Sequence, residues 1–303
     1  MHHSQQNPLH QKTLKKFIPI IVFIVLFATL IVIMNERVEA AAYQSEEKNI
    51  VGLQSIILGK DIQRASSDLL FLADREQETL WSNQASLAKK AMSHLEIEFL
   101  EISSHVGLYD QVRLLDATGM ELIRINGSPA VIPADQLQNK SGRYYFEDAI
   151  KLDEGEVFVS PLDLNIEHGE IERPFKPTIR FATPVFDPHG EKRGIIILNY
   201  LAHDMLERFA NEAEISSRSQ SMLLNTEGYW LVNTIPEKEW GFMFEDRNET
   251  TFANTYPDAW TKIIANEAGQ FETSKGLFTF ERYIPFLKVK NPAAVQERLF
   301  PQA

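Results

Sequence analysis

The chain has 303 residues, 44% hydrophobic and 24% charged, a globular balance that excludes disorder for most of its length. Its formal net charge is -12 and it contains no cysteine, so neither disulfide staples nor thiolate chemistry is available to it. An acidic surface lacks the clustered Lys and Arg that phosphate contacts need, which excludes nucleic acid as a partner.

Residues 1–16 carry Lys12, Lys15 and Lys16 and no acid. FIPIIVFIVLFATLIVIM, Phe17 to Met34, follows without a single charge. As a helix it spans about 27 Å, close to the thickness of a bilayer's hydrocarbon core. A transmembrane helix over 17–34 is therefore predicted, with 1–16 in the cytoplasm by the positive-inside rule and the rest outside. Ala40, Ala41 and Ala42 offer the small residues of a cleavage site. A signal core is usually roughly 7 to 15 residues, however, and the polar run NERVE intervenes, so an uncleaved anchor is the expected reading. Beyond residue 34 the chain holds all 42 acids but 27 bases, a balance of -15.

Residues 35–106 read as a long helical stalk: proline is absent from Glu36 to Val106, and glycine occurs only at Gly52 and Gly59. Ile62, Ala65, Leu69 and Leu72, then Ala88, Met92, Leu95, Phe99, Ile102 and Val106, recur at spacings of three and four. That is one apolar stripe, with a break expected near Ser82 and Asn83. Such a stripe serves either to pack the helix on its own domain or to pair two chains, and a homodimer through the stalk is expected from the second use.

After Gly107 the period changes to two. LYDQVRLLDATGMELIRIN places two apolar runs around Asp116 and Gly119, which predicts a β-hairpin. PVFDPHGEKRGIIILNYL repeats the device with Asp187 and Gly190, and SMLLNTEGYWLVN with Asn225 and Gly228. The first and third match at a constant offset of 109, which suggests an internal duplication. Between the hairpins the sequence predicts a short helix from Arg143 to Ile150, a strand over Glu156 to Ser160, and a strand pair from Thr178 to Leu201. A helix from His203, a second hairpin, a helix at Pro257 to Asn266 and strands around Gln270 to Tyr283 follow. Antiparallel strands interrupted by helices predict an α+β fold.

A membrane span, a long helix and two successive α+β units on Asp-x-x-Gly hairpins together resemble the double-Cache, PAS-like sensor modules of bacterial histidine kinases and diguanylate cyclases. The likeness rests on VRLLDATGMELIRIN, LQNKSGRYYFEDA, VFVSPLDLN, PTIRFATPVFDPHGEKRGIIILN and SMLLNTEGYWLVN. It implies two tandem PAS-like units with antiparallel sheets: a membrane-distal unit over 107–213 and a membrane-proximal unit over 214–290, with a tail at 291–303. The end, PFLKVKNPAAVQERLFPQA, lacks the proximal unit's closing strand, so a fragment or a truncated frame is expected. The place implied is the bacterial inner (cell) membrane, and the output a kinase or cyclase absent from this chain.

The resemblance also implies a small-molecule ligand held between the distal sheet and KSGRYYFEDAI. Amino-acid-binding relatives carry Arg-x-Trp-Tyr there, and Arg143, Tyr145 and Phe146 occupy those three positions. A guanidinium suits a carboxylate because its fork donates two parallel hydrogen bonds. The relatives' aspartate, which pairs with the ligand ammonium, is replaced by Asn199. An amide supplies no countercharge, so an organic acid is expected over an amino acid.

Arg180 lies in TIRFATPVF, with Ile179, Phe181 and Val185 on the opposite face. A charge in an apolar strand needs a partner, either Asp163 or Glu172 or the ligand itself. Asp163 and Asn165 read as turn formers or as acceptors at a pocket rim. Trp230 and Trp240 with Tyr229 read as proximal core. The eight histidines show no metal spacing, and no cofactor is expected. Catalytic motifs are missing as well: no Gly-rich phosphate loop, no His-Glu-x-x-His and no Gly-x-Ser-x-Gly. Acid pairs such as Asp153 and Glu154 have no partner that would make them an acid and base. The sequence thus predicts a ligand-sensing receptor region, with a membrane-anchored binding or adhesion protein as the rival.

Overall fold

The computed structural model describes residues 8–74, 80–81, 84–127, 130–167, 169–214 and 219–284. The chain forms two compact units, residues 1–50 and 51–303. The first is helical. Helix α1 begins at Pro8 and its range extends to Ala73. From Phe17 it has the length and composition to cross a membrane, and the apolar side chains from Phe17 to Met34 are exposed.

The second unit is built on one antiparallel sheet. Its strands are β1 Tyr109–Asp116, β2 Glu121–Asn126, β3 Ala130–Val131, β4 Phe158–Val159, β5 Asp163–Leu164, β8 Pro177–Phe186 and β9 Lys192–Leu201. Between β5 and β8 a separate two-stranded ribbon pairs β6, Ile166–Glu167, with β7, Glu170–Ile171. The order across the sheet is β3-β2-β1-β9-β8-β4, with β5 also on β8, so β1, β9 and β8 are central. Central strands are covered on both faces, which is why β8 is buried from Pro177 to Val185 and GIIILNYL of β9 reads as a nearly continuous apolar run.

One face packs on helices. Val112 and Leu114 of β1, Ile179 and Phe181 of β8, and Ile196 and Leu198 of β9 meet Ala65, Leu69 and Leu72 of α1. Helix α2, Ala85–Val106, adds Leu95 and Phe99 to the same core. This decides between the two uses of the stripe: Leu95 is 1% exposed and Phe99 0%, so its centre is spent inside the chain and is not a face for a second copy. The expected break at Ser82 and Asn83 lies outside the described residues.

The three hairpin turns share one set of bonds. The side-chain oxygen of Asp116 accepts the N–H groups of Thr118 and Met120, that of Asp187 those of His189 and Glu191, and that of Asn225 those of Glu227 and Tyr229. In each, the glycine three residues on takes positive φ and donates to the first residue's carbonyl. The Asp187 turn carries the same bonds, so the Asp/Asn and Gly positions of the match at offset 109 follow from turn chemistry alone.

After β9 come α4, His203–Glu214, then β10, Leu223–Leu224, paired with β11, Trp230–Val232. Helices α5, Phe252–Thr255, and α6, Pro257–Ile264, precede β12, Ala268–Thr273, and β13, Gly276–Glu281. Trp230 packs on Phe252 and Ala259, while Trp240 joins the main core, so both tryptophans are core residues. The strand expected over Glu156 to Ser160 is only β4, two residues long.

Since an amide serves at Asn225, Asp116→Asn should change stability by less than about 0.5 kcal/mol. Asp116→Ala, which strands two backbone donors, should cost about 1–2 kcal/mol. Urea unfolding of the two variants measures the difference.

Candidate functional site

The other face of the sheet carries charge. Strand alternation puts Gln111, Arg113 and Leu115 of β1, Ile195, Ile197 and Asn199 of β9, and Arg180 and Ala182 of β8 on it. Helix α3, Tyr144–Ala149, lies against this face, with Tyr145, Phe146 and Ala149 packed on Leu115, Ala182, Ile195 and Ile197.

Six residues do not make a stable helix in water, so α3 depends on what holds it. At its start the β1–β2 turn grips residues 138–141: Glu121 N–H donates to the Gln138 carbonyl and Lys140 N–H to that of Gly119. A Cβ on Gly119, whose φ is 83°, would stand 2.6 Å from the Ser141 backbone, so only glycine allows this contact. At its end Lys192 Nζ donates to the Ile150 and Leu152 carbonyls, each at 2.6 Å, capping the last turn with a cation.

Below α3 lie two buried arginines, each bonded to a tyrosine of the helix. Arg113, 3% exposed, donates to Tyr145 Oη at 3.3 Å and to Asn199 Oδ1 at 2.8 Å. Its NH1 is 3.7 Å from Glu121 Oε1, while Arg124 NH1 is 3.5 Å from Glu121 Oε2. Neither Arg113 Nε nor Glu121 Oε1 has a hydrogen-bond partner, although both are buried. Arg180 donates to Asp163 Oδ1 at 2.8 Å, and to Tyr144 Oη and Asn165 Oδ1 at 3.4 Å.

The electrostatics are cationic. Burial and the nearby charges of Arg113 and Arg143 lower the Lys140 pKa. Burial raises the Asp163 carboxyl above the ordinary range, because one guanidinium contact returns less than desolvation takes. Burial also opposes the Arg180 charge, but Asp163 and the tyrosines outweigh it and hold that pKa above its usual value. Burial raises the Tyr144 hydroxyl, with Arg180 acting the other way.

Of the residues singled out from sequence, Tyr145, Phe146, Arg180 and Asn199 come together on this face, with Asp163 at its edge. Arg143 does not turn inward. It is exposed at the N-cap of α3, and its side chain makes no hydrogen bond or ion pair among the described residues, while Tyr144 is half-exposed as expected. The helix's inward positions go to Tyr145, Phe146 and Ala149, and the residue before the first turn is left at the rim. Asp163 and Asn165 are not turn formers either: β5 pairs with β8 and aims Asp163 at Arg180. Glu172 is bonded to Lys176 and Asn165 instead.

Sequence reading passed over Arg113, Glu121 and Lys140. A charge between Val112 and Leu114 was the available signal for Arg113, the same signal that singled out Arg180. For Glu121 there was none, because a strand's first residue is usually exposed. On the exposed side of α4, His203, Asp204 and Glu207 come within metal-ligand distance of one another, a grouping common on acidic surfaces.

The profile of the bacterial histidine kinase sensor domain matches residues 63–291. Among solved structures, the extracellular domain of vpHK1S-Z8, a provisionally assigned histidine kinase, superposes with a TM-score of 0.61 at 22% identity, over 78% of this chain and 87% of that one. A domain of a provisionally assigned sensory box/GGDEF family protein from Vibrio parahaemolyticus gives 0.58 at 22% identity, over 76% and 88%. The ligand-binding domain of the Campylobacter jejuni chemoreceptor Tlp3, in complex with 4-methylisoleucine, gives 0.51 at 12% identity, over 78% and 84%. Identities this low show a common fold alone. No curated protein sequence matches.

Arg113→Ala should lower stability by about 3 kcal/mol, since it leaves Glu121 buried beside one distant cation. Arg143→Ala should stay within about 0.5 kcal/mol of the parent. Chemical unfolding of the full chain compares them, and equal losses would mean that Arg124 alone satisfies Glu121.

Proposed function

Because the chain belongs to the bacterial histidine kinase sensor domain family, we propose that it is the extracytoplasmic ligand-sensing region of a membrane-anchored receptor. Its ligand is a small anion, a carboxylic acid, taken up on the α3 face of the sheet, and the signal passes to a kinase or cyclase output. One observation carries this reading. Arg113, Arg124, Lys140, Arg143 and Arg180 gather around two carboxylates, Glu121 and Asp163, in a chain whose net charge is -12. A cationic patch on an acidic protein concentrates anions and repels cations.

Arg143 is the group at the rim, uncommitted and able to close over a carboxylate; Arg180 is the second, provided the ligand displaces Asp163. Tyr145 and Phe146 supply apolar faces that exclude water and strengthen both contacts. In this reading residues 107–213 form the membrane-distal unit and 214–290 the proximal one, with α1 from Phe17 to Met34 in the bacterial inner membrane. Pairing of two chains falls to parts of α1 that the sheet leaves uncovered, where Leu53 is exposed, rather than to Leu95 and Phe99.

Titration calorimetry of the full chain against a panel of small carboxylic acids tests the site. Arg143→Ala should weaken the best binder roughly ten- to a hundred-fold, the equivalent of a charge-assisted hydrogen bond of about 1.5–3 kcal/mol. Arg143→Lys should recover only part of that. Unchanged affinity in Arg143→Ala would remove Arg143 from the site. Topology has its own test, since the chain lacks cysteine: His189→Cys, in an exposed turn, should react with a membrane-impermeant maleimide in intact cells. Labelling only after lysis would place this turn in the cytoplasm.

A further inference from the structure

Asn199 is buried on the α3 face of the sheet, and its surroundings explain more than its own chemistry does. The Cα partners across β1 and β9 are Gln111 with Asn199 and Arg113 with Ile197, so Arg113 reaches Asn199 diagonally along one face. Arginine has only donors, so the atom it meets at 2.8 Å is the amide oxygen. The amide nitrogen is thereby turned to Gln111 Oε1, at 3.4 Å. Both polar ends of Asn199 are committed, and the charge nearest to it is a buried guanidinium whose Nε has no partner.

We propose that Arg113 is the specificity-determining residue of this site: by holding position 199 it keeps the floor cationic and selects carboxylic acids that lack an amino group. The inference rests on the reading of the α3 face as an anion site and goes further, because it assigns selectivity to a residue of β1 that lies outside the α3 segment. An ammonium brought to the floor meets Arg113, and the carboxylate paired with that guanidinium among the described residues, Glu121, is already shared between Arg113 and Arg124. Arg180, across β9, is balanced by Asp163 and adds no negative charge.

A non-additive outcome follows. A carboxylate introduced at 199 would fall within reach of the Arg113 fork, form an ion pair with it and be neutralised before any ammonium could use it. Asn199→Asp alone should therefore weaken acid binding without conferring amino-acid binding. The gain should need removal of the guanidinium as well, with Arg113→Gln keeping a donor toward residue 199 and giving up the charge.

The experiment is calorimetry of the full chain in lipid nanodiscs with isosteric pairs: pyruvate and alanine, 4-methyl-2-oxopentanoate and leucine, 2-oxoglutarate and glutamate. The parent should prefer the oxo acid of its best pair by at least tenfold. Asn199→Asp should lose at least tenfold for that acid and gain nothing for the amino acid, and Arg113→Gln/Asn199→Asp should prefer the amino acid. If the double variant does not fold, Asn199→Asp decides by itself: a tenfold gain in amino-acid affinity in that single variant overturns the inference and leaves the anion site standing. A parent that binds no acid of the panel overturns both.

Discussion

A guanidinium buried under a helix of six residues is the constraint around which the α3 side of the sheet is arranged. Arg113 sits in a strand covered on both faces, so its charge has to be met from within: by Glu121 of β2, by the Asn199 oxygen of β9, and by the Tyr145 hydroxyl of α3. Three elements are thereby tied to one side chain of a fourth. Buried ion pairs of this kind repay their desolvation poorly, and their value lies in fixing one arrangement against others. Here the arrangement fixed is which way Asn199 points and how α3 meets the sheet.

The two faces of the sheet divide the work. Toward α1 and α2 the contacts are Leu, Ile, Val and Phe on Leu, Ala and Phe, a dry core that supplies the stability. Toward α3 the apolar patch is small, two aromatic rings and an alanine on three aliphatic side chains and an alanine. The helix is kept there by bonds at its ends and by two tyrosine hydroxyls, each on an arginine. Segments held by few buried apolar contacts open more readily than the core, and α3 fits that description within an otherwise well-packed sheet.

The edge of the site is joined to the C-terminal elements by direct contact. Asp163 and Asn165, which meet Arg180, flank Leu164, whose N–H lies 3.1 Å from Met243 Sδ. Further along the same stretch Phe175 packs on Phe244, with ring centroids 5.8 Å apart. A carboxylate that displaced Asp163 from Arg180 would thus disturb a segment in contact with residues 243 and 244. Contiguity of this kind is what coupling requires, although coupling itself is a difference in energy between two states.

By itself the sequence determined the elements and the character of the faces. An uninterrupted apolar run must seek lipid or protein, a 3–4 spacing must make a helix with one buried stripe, and Asp-x-x-Gly between alternating strands must turn, because a side-chain oxygen on so short a stem can satisfy the donors that the turn leaves open. All of these are local, and so was the reading that Arg180 needs an internal partner. Only the tertiary structure decided the pairings. Arg113 and Asn199 are 86 residues apart and become neighbours through the pairing of β1 with β9, which no local pattern encodes. The same holds for Arg143: its sequence neighbours are buried aromatics, yet the rotation of α3 on the sheet turns Tyr145 and Phe146 inward and leaves the residue ahead of the helix at the rim. A helix repeats every 3.6 residues, so a shift of one position is about 100° of direction, and the sheet beneath sets that direction.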